Sequence, residues 1–296
     1  MSKKKTDESV VGWSRRDFML AASGVALPLL TGCGLSGSRS EPAVLRVGLC
    51  DALSKNTPSQ CVGEYAKREY EGLANVLERE AGVHLKFRLF PIDEQLISAA
   101  GRGELDALIC KTWTMLRAGV ASPSPYHRLA DIPGPEGKDL HGVFIARKDS
   151  PIRTLGDIDG RSFAVGSESQ YESSFQARRD LAEAGVRPAR TTTIASCLNV
   201  AAKVWEGGAD AGVVSDYCVD HSGLQLVGDP EAFRILGRTD PVPFITVAVS
   251  TEVPAPVRAR AQTALLSMAG SRVPEDLETT GVVQPRQWRP GELGRL

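Results

Sequence analysis

The chain contains no C-x-x-C pair, and its four histidines, His84, His127, His141 and His221, are scattered. The ligand spacing of zinc sites is therefore missing. No G-x-S-x-G occurs, which removes the nucleophile elbow of α/β hydrolases. There is no basic stripe interleaved with aromatics, the footprint a nucleic-acid surface needs. The longest apolar run, about 15 residues, falls short of the roughly 20 that a membrane-spanning helix requires. No internal sequence repeat is visible. These absences predict no metal, no cofactor and no nucleic-acid partner.

One apolar run does stand out. Lys3, Lys4 and Lys5 lead to Ser14-Arg15-Arg16 and Phe18, then to an uncharged stretch ending at Gly32. A basic start, a short apolar core and small residues at a cut site describe an export signal. The twin arginine resembles the Tat type, although the lysine often found near its end is absent. Gly32, Gly34 and Gly37 also spell G-x-G-x-x-G, but a dinucleotide loop must follow a strand and open a helix. Here Pro28 precedes the glycines and a polar "SGSRSEP" follows. Residues 1–32 are thus expected to be a lipoprotein signal, Cys33 the lipidated N-terminus that anchors the chain to a membrane, and 33–43 a tether. Two or three acyl chains would hold far better than one. The expected location is the periplasmic or outer face of a bacterial membrane.

Removing the five basic and three acidic residues of positions 1–32 from totals of 35 and 36 leaves 30 and 33, a formal charge of −3. What remains suffices for two modest domains or one large one. Besides Cys33 there are Cys50, Cys61, Cys110, Cys197 and Cys218. Export favours disulfides, and proximity in sequence suggests Cys50–Cys61 and Cys197–Cys218; several small buried thiols is the alternative.

Apolar β-rich runs alternate with amphipathic segments. Strands are expected at 44–49, 83–90, 104–110, 141–147, 162–166, 191–194, 209–215 and 241–250. Helices are expected from Val62 to about Gly82, and over 93–103, 170–185, 196–208 and 255–268. This order predicts an α/β fold with mostly parallel sheets flanked by helices. "GELDALIC" and "GGADAGVVS" each place a small-residue turn and an Asp before an apolar strand. In open α/β sheets, ligands sit beyond the carboxyl ends of strands. That rule selects the loop Cys50–Cys61 with Ser54, the turn with Lys111 and Thr112, the loop with Gly166, Ser167, Ser169 and Gln170, and Ser215, Asp216 and Tyr217.

"VFIARKDSPIRTLGDIDGRSFAVGSESQYESSFQARRDLAEAGV", with "WEGGADAGVVSDY" and "ILGRTDPVPFITVAVS", resembles the substrate-binding proteins of phosphonate/phosphate-type ABC transporters, in the type-2 periplasmic-binding superfamily. The resemblance spans roughly Val44 to Met268. It implies two lobes, 44–140 plus 243–296 and 141–242, joined by two crossover segments, with a small polar or anionic ligand held between them. A permease and an ATPase become candidate partners, and the protein itself is expected to be a monomer. In the family a Ser/Thr/Gly-rich turn at a helix start holds the anion, because unpaired N–H groups and the helix dipole favour negative charge there. Gly166, Ser167, Ser169 and Gln170 occupy that place, but Glu168 and Glu172 are inserted beside it. Ser169-x-x-Glu172 also reads as a capping box that needs no ligand. Two carboxylates there would repel a phosphonate unless Lys111 or Lys55 offset them, which favours a zwitterionic or neutral ligand. Tyr217 could touch the ligand or form a rim, and Trp113 could wall the pocket or pack. A lipid-anchored sensor or assembly partner of the same fold is the rival reading. An enzyme built on Cys110 next to Lys111 lacks a nearby histidine and is not expected.

Overall fold

In the computed structural model of the chain, residues 42–220, 223–268, 270–288 and 290 are described. The expected signal, Cys33, most of the tether and His221 lie outside them. Among the described residues no helix is long and apolar enough to cross a membrane.

Element order is β1 (Ala43–Cys50), α1 (Glu71–Val76, continued by a π turn over Leu77–Ala81), β2 (Val83–Leu89), α2 (Asp93–Gly101), β3 (Ala107–Lys111), α3 (Thr112–Ala121), β4 (Tyr126–Ile132), β5 (Gly142–Arg147), β6 (Ser162–Val165), α4 (Ala177–Glu183, preceded by a π turn over Glu172–Gln176), β7 (Arg190–Thr193), α5 (Cys197–Trp205), β8 (Ala211–Ser215), α6 (Asp216–Asp220), β9 (Phe233–Arg238), β10 (Ile245–Ser250), α7 (Ala255–Leu266) and α8 (Val273–Asp276). Two five-stranded sheets result, ordered β2-β1-β3-β10-β4 and β7-β6-β8-β5-β9. In each, four strands run in one direction and a single strand, β10 in the first sheet and β5 in the second, runs antiparallel to both its neighbours. Helices cover the sheets; the α/β layering is the one expected from the alternating pattern, and the two-lobed architecture the one implied by the resemblance. Leu96, Ala99, Leu108, Met115 and Ala118 pack one face of the first sheet, and Phe144, Phe163, Leu181 and Val213 one face of the second.

The recurring small-turn-plus-Asp unit has the same task in both lobes. Asp106 accepts the backbone N–H of Arg46 at 2.8 Å, and Asp210 accepts that of Ser162 at 2.8 Å. Each carboxylate thereby fixes the parallel register of the strand it precedes against the neighbouring strand, β3 against β1 and β8 against β6.

The helix expected from Val62 is broken. Residues 63–65 make one 3₁₀ turn, Ala66 is extended, and regular helix begins only at Glu71. Arg68 and Tyr70 are pulled inward instead. Arg68 Nη1 lies 3.3 Å from Asp51 Oδ2, and Tyr70 donates to the same oxygen at 2.6 Å. A buried carboxylate left alone costs several kcal/mol, which outweighs the helical propensity of a few residues. The expectation missed α3, β4, α6 and β9.

Candidate functional site

Four loops leave the carboxyl ends of β1, β3, β6 and β8 and meet between the lobes. Lys111 closes β3 and is buried despite its charge, with 6% of its surface exposed. Its ammonium lies 2.7 Å from Glu172 Oε1 and donates to Tyr217 Oη at 3.4 Å. Ser215, the last residue of β8, donates its hydroxyl to the same Glu172 carboxylate. Burial would lower the Lys111 pKa, but the adjacent Glu172 carboxylate carries it well above the ordinary lysine value.

Two glycines make this approach possible. A Cβ on Gly142 would stand 2.4 Å from the Glu172 carbonyl oxygen, and one on Gly166 would stand 2.4 Å from Ser173 Oγ. Only a bare backbone lets the 166–173 loop press against β5 and aim Glu172 at Lys111.

Sequence reasoning placed Ser169 and Glu172 in a capping box. That box is absent. Ser169 shares a 2.7 Å hydrogen bond with Ser167, and the turn at Glu172 opens without a side-chain cap. Electrostatics decides it, because the buried Lys111 ammonium holds a carboxylate more strongly than a backbone N–H does. Gly166 donates its N–H to the Ser173 carbonyl at 2.9 Å, and Gln170 Oε1 accepts from Ser173 Oγ at 3.3 Å. The Gly166 and Gln170 N–H groups and the Ser167–Ser169 hydroxyl pair are thus engaged within their own loop. Ser54 is buried in its own turn, where its hydroxyl accepts the Asn56 N–H. Thr112 is buried too; its N–H goes to the Phe244 carbonyl, and its hydroxyl has no partner among the described residues. Lys55 pairs with Glu69 at the surface, far more exposed than Lys111.

Trp113 clasps the two lobes. Its Nε1 donates to the Glu168 carbonyl at 2.7 Å, and its ring centroid lies 4.8 Å from that of Tyr171 and 5.5 Å from that of Phe175. Trp288 packs edge-on against Tyr171 at 5.0 Å.

Beside the Lys111–Glu172 pair lies a cavity of about 770 Å³, lined by Leu53, His141, Asp216, Tyr217, Arg238 and Phe244 together with the crossover 134–140. Of the expected site residues, Asp216 and Tyr217 line it. Phe244, which the sequence places simply in an apolar strand, also lines it; its role was signalled only by the neighbouring Pro241-Val242-Pro243 crossover. Arg238 and the 134–141 segment were missed because they come from a β-strand end and a crossover with no motif of their own.

Asp216 is the least compensated charge here. Its oxygens accept the backbone N–H groups of His141 at 3.0 Å and of Tyr217 at 2.8 Å. Burial pushes its pKa from 3.8 up to about 6, aided by the charges of Glu172 and Asp220. The native state therefore binds this proton more tightly than the unfolded chain, and stability falls as pH rises from about 4 to 6. A two-unit shift corresponds to roughly 3 kcal/mol. D216N is accordingly expected to be more stable than wild type by about 1–3 kcal/mol at pH 7.5, with the gain vanishing near pH 4. Urea unfolding at both pH values checks this; an equal difference at both would show that Asp216 does not titrate between the two states.

All five described cysteines are free thiols. The expected Cys50–Cys61 pair is not brought together. Cys50 instead faces Asp93 at 3.6 Å and is in register with Cys110 on β3. The expected Cys197–Cys218 bridge is not formed either: Cys197 Sγ accepts the Ser215 N–H at 3.2 Å, because the first turn of α5 packs against the end of β8. Burial drives the Cys110 thiol well above its ordinary pKa, the opposite of an activated nucleophile.

The family model for ABC transporter phosphonate periplasmic substrate-binding proteins matches residues 59–288. No curated protein matches the chain. Among solved structures, a Xanthomonas citri protein bound to chloride ion is similar at TM-score 0.63 and 24% identity, over 82% of this chain and 92% of that one. The binding protein component of an ABC phosphonate transporter from Pseudomonas aeruginosa gives TM-score 0.59 and 14% identity, over 82% of this chain and 81% of that one. PhnD1 from Prochlorococcus marinus, in complex with methylphosphonate, gives 0.58 and 15%, over 82% and 93%.

Proposed function

The chain belongs to the phosphonate-binding family of ABC-transporter periplasmic substrate-binding proteins, and from that premise we propose how it holds its ligand. It is an extracytoplasmic solute-binding protein that serves a permease and an ATPase. In our reading the lobes 44–140 plus 243–296 and 141–242 close about the crossovers at 133–141 and 239–244. The ligand occupies the cavity bounded by Leu53, Asp216, Tyr217, Arg238 and Phe244. Residues 1–32 would be removed as a Tat-like signal, Cys33 would carry the lipid anchor, and the protein would act as a monomer.

The observation that carries the ligand reading is the position of Glu172. Its carboxylate already takes the hydrogen bonds of Lys111 and Ser215 that an incoming anion would seek. A second full negative charge placed there would meet strong repulsion in a water-poor site. The ligand is therefore a small zwitterionic or neutral polar molecule, with Asp216 receiving its donor end.

Native mass spectrometry of the exported protein tests the binding reading, through a small molecule that is lost on denaturation. Methylphosphonate titrations of wild type and E172Q by calorimetry test the role of Glu172. E172Q is expected to bind at least tenfold more tightly, because Lys111 is released for the anion; a tenfold change corresponds to about 1.4 kcal/mol. Tight binding by wild type that E172Q weakens would show that Glu172 supports the anion rather than displaces it.

A further inference from the structure

The segment from Val283 to Trp288 runs from the edge of the first sheet, past a crossover, to the second lobe. Val283 bridges Asp131 near the end of β4, donating its N–H at 2.9 Å and accepting that of Asp131 at 2.8 Å. The Arg286 N–H reaches the Asp131 carboxylate at 3.1 Å, and Arg128 donates to the Arg286 carbonyl at 2.9 Å. The Arg286 guanidinium then grips both carboxylate oxygens of Asp139, one of them at 2.7 Å. Asp139 belongs to the crossover that leads into the second lobe. Gly137 marks how closely the chain passes this crossover, since a Cβ there would stand 2.8 Å from Thr280 Oγ1.

Two residues beyond Arg286, the Trp288 ring meets Tyr171, with centroids 5.0 Å apart and planes at 89°. Edge-to-face is a preferred arrangement, because ring edges are positive and ring faces negative. Trp113 also contacts Tyr171. This buried tyrosine, 2% exposed, is therefore held by two indoles that the other lobe carries. The next residue is Glu172, whose carboxylate meets Lys111. The Arg286–Asp139 pair is 51% and 24% exposed at its side chains and adds little stability. Its two-pronged geometry fixes direction instead. Pro285, just before Arg286, narrows the conformations the free segment can adopt.

We propose that Trp288 is a positioning residue for ligand capture: carried on a strap that Arg286 pins to the crossover, it backs Tyr171 and so holds the 166–173 loop in its closed position. It acts through Tyr171 and touches no ligand. The inference rests on the reading that the ligand is held between lobes that hinge at the crossovers. Parting the lobes then requires Tyr171 to leave the Trp288 edge as well as Glu172 to leave Lys111. The ion pair supplies the charge, and the strap sets where the loop that carries Glu172 comes to rest.

Hydrogen exchange, which reports local opening, and small-angle scattering of the full exported protein give the test. Wild type, W288A, W288F, R286A and K111M are compared. W288A is expected to speed exchange across residues 166–176 at least tenfold and to enlarge the radius of gyration. W288F should restore most of the protection, because a phenyl edge can still meet Tyr171. R286A, with its indole intact but the strap unpinned, should fall between W288A and wild type. Exchange in β1, β3 and β10 should stay within about twofold in the strap variants, which a general loss of stability would not allow. Wild-type protection of the loop in W288A, while K111M opens it, would overturn the role of Trp288 and leave the hinged reading standing. No opening in either variant would overturn both. Faster exchange spread evenly over both sheets of W288A would also overturn the proposal, since Trp288 would then support the fold rather than the loop.

Discussion

Replacing Lys111 with methionine is expected to cost about 3–5 kcal/mol of folding stability, the range for stranding one partner of a buried ion pair. Lys111 and Glu172 are 8% and 1% exposed at their side chains, so little water is available to screen either one alone. With the ammonium gone, the Glu172 carboxylate keeps only the Ser215 hydroxyl, and reaching solvent requires the lobes to part. The double variant K111M/E172M, which removes both charges, is expected to recover all but about 1 kcal/mol. Urea unfolding of the two singles and the double provides the cycle. If K111M stays within 1 kcal/mol of wild type, Lys111 and Glu172 are not paired in solution and the lobes rest open there.

Arg68→Met is expected to have an effect of similar size, again about 3–5 kcal/mol. The side chain is fully buried. It lies 3.3 Å from Asp51, donates to the Pro133 carbonyl at 2.6 Å and stacks 4.9 Å from the Phe244 ring centroid. One residue thus joins the β1 loop, the crossover after β4 and a wall of the cavity. Losing it strands Asp51 beside the Tyr70 hydroxyl, and the loop carrying Leu53 and Cys61 loses its tie to the crossover. Thermal unfolding should show the stability loss, and ligand affinity should fall with it. Retained affinity in a destabilised R68M would mean that the loop is positioned by other contacts.

The lobes were legible because their signals are local. Val44–Leu49, Phe163–Val165 and Gly212–Ser215 are short apolar β-rich runs, and each is a strand within a residue or two of where the pattern put it. Asp106 and Asp210 announced themselves as a repeated turn. The elements missed or misplaced obey distant partners. The segment from Val62 to Tyr70 has an amphipathic pattern yet is extended over part of its length, because Asp51 takes Arg68 and Tyr70 inward. Ser169-x-x-Glu172 has the form of a capping box, yet Glu172 turns to a lysine 61 residues away.

The same division holds for the site. By itself the sequence determined which loops meet, since strand ends and their order follow from periodicity and connection rules. It also determined that carboxylates stand where the family keeps hydroxyls. Tertiary structure alone decided that Glu172 pairs with Lys111 and Ser215, that Arg238 and Phe244 line the cavity, and that the described cysteines stay free thiols. The physical reason is one of range. Backbone patterns are set by neighbours a few residues apart, whereas a buried charge or thiol is satisfied by whichever partner the closed lobes bring within reach.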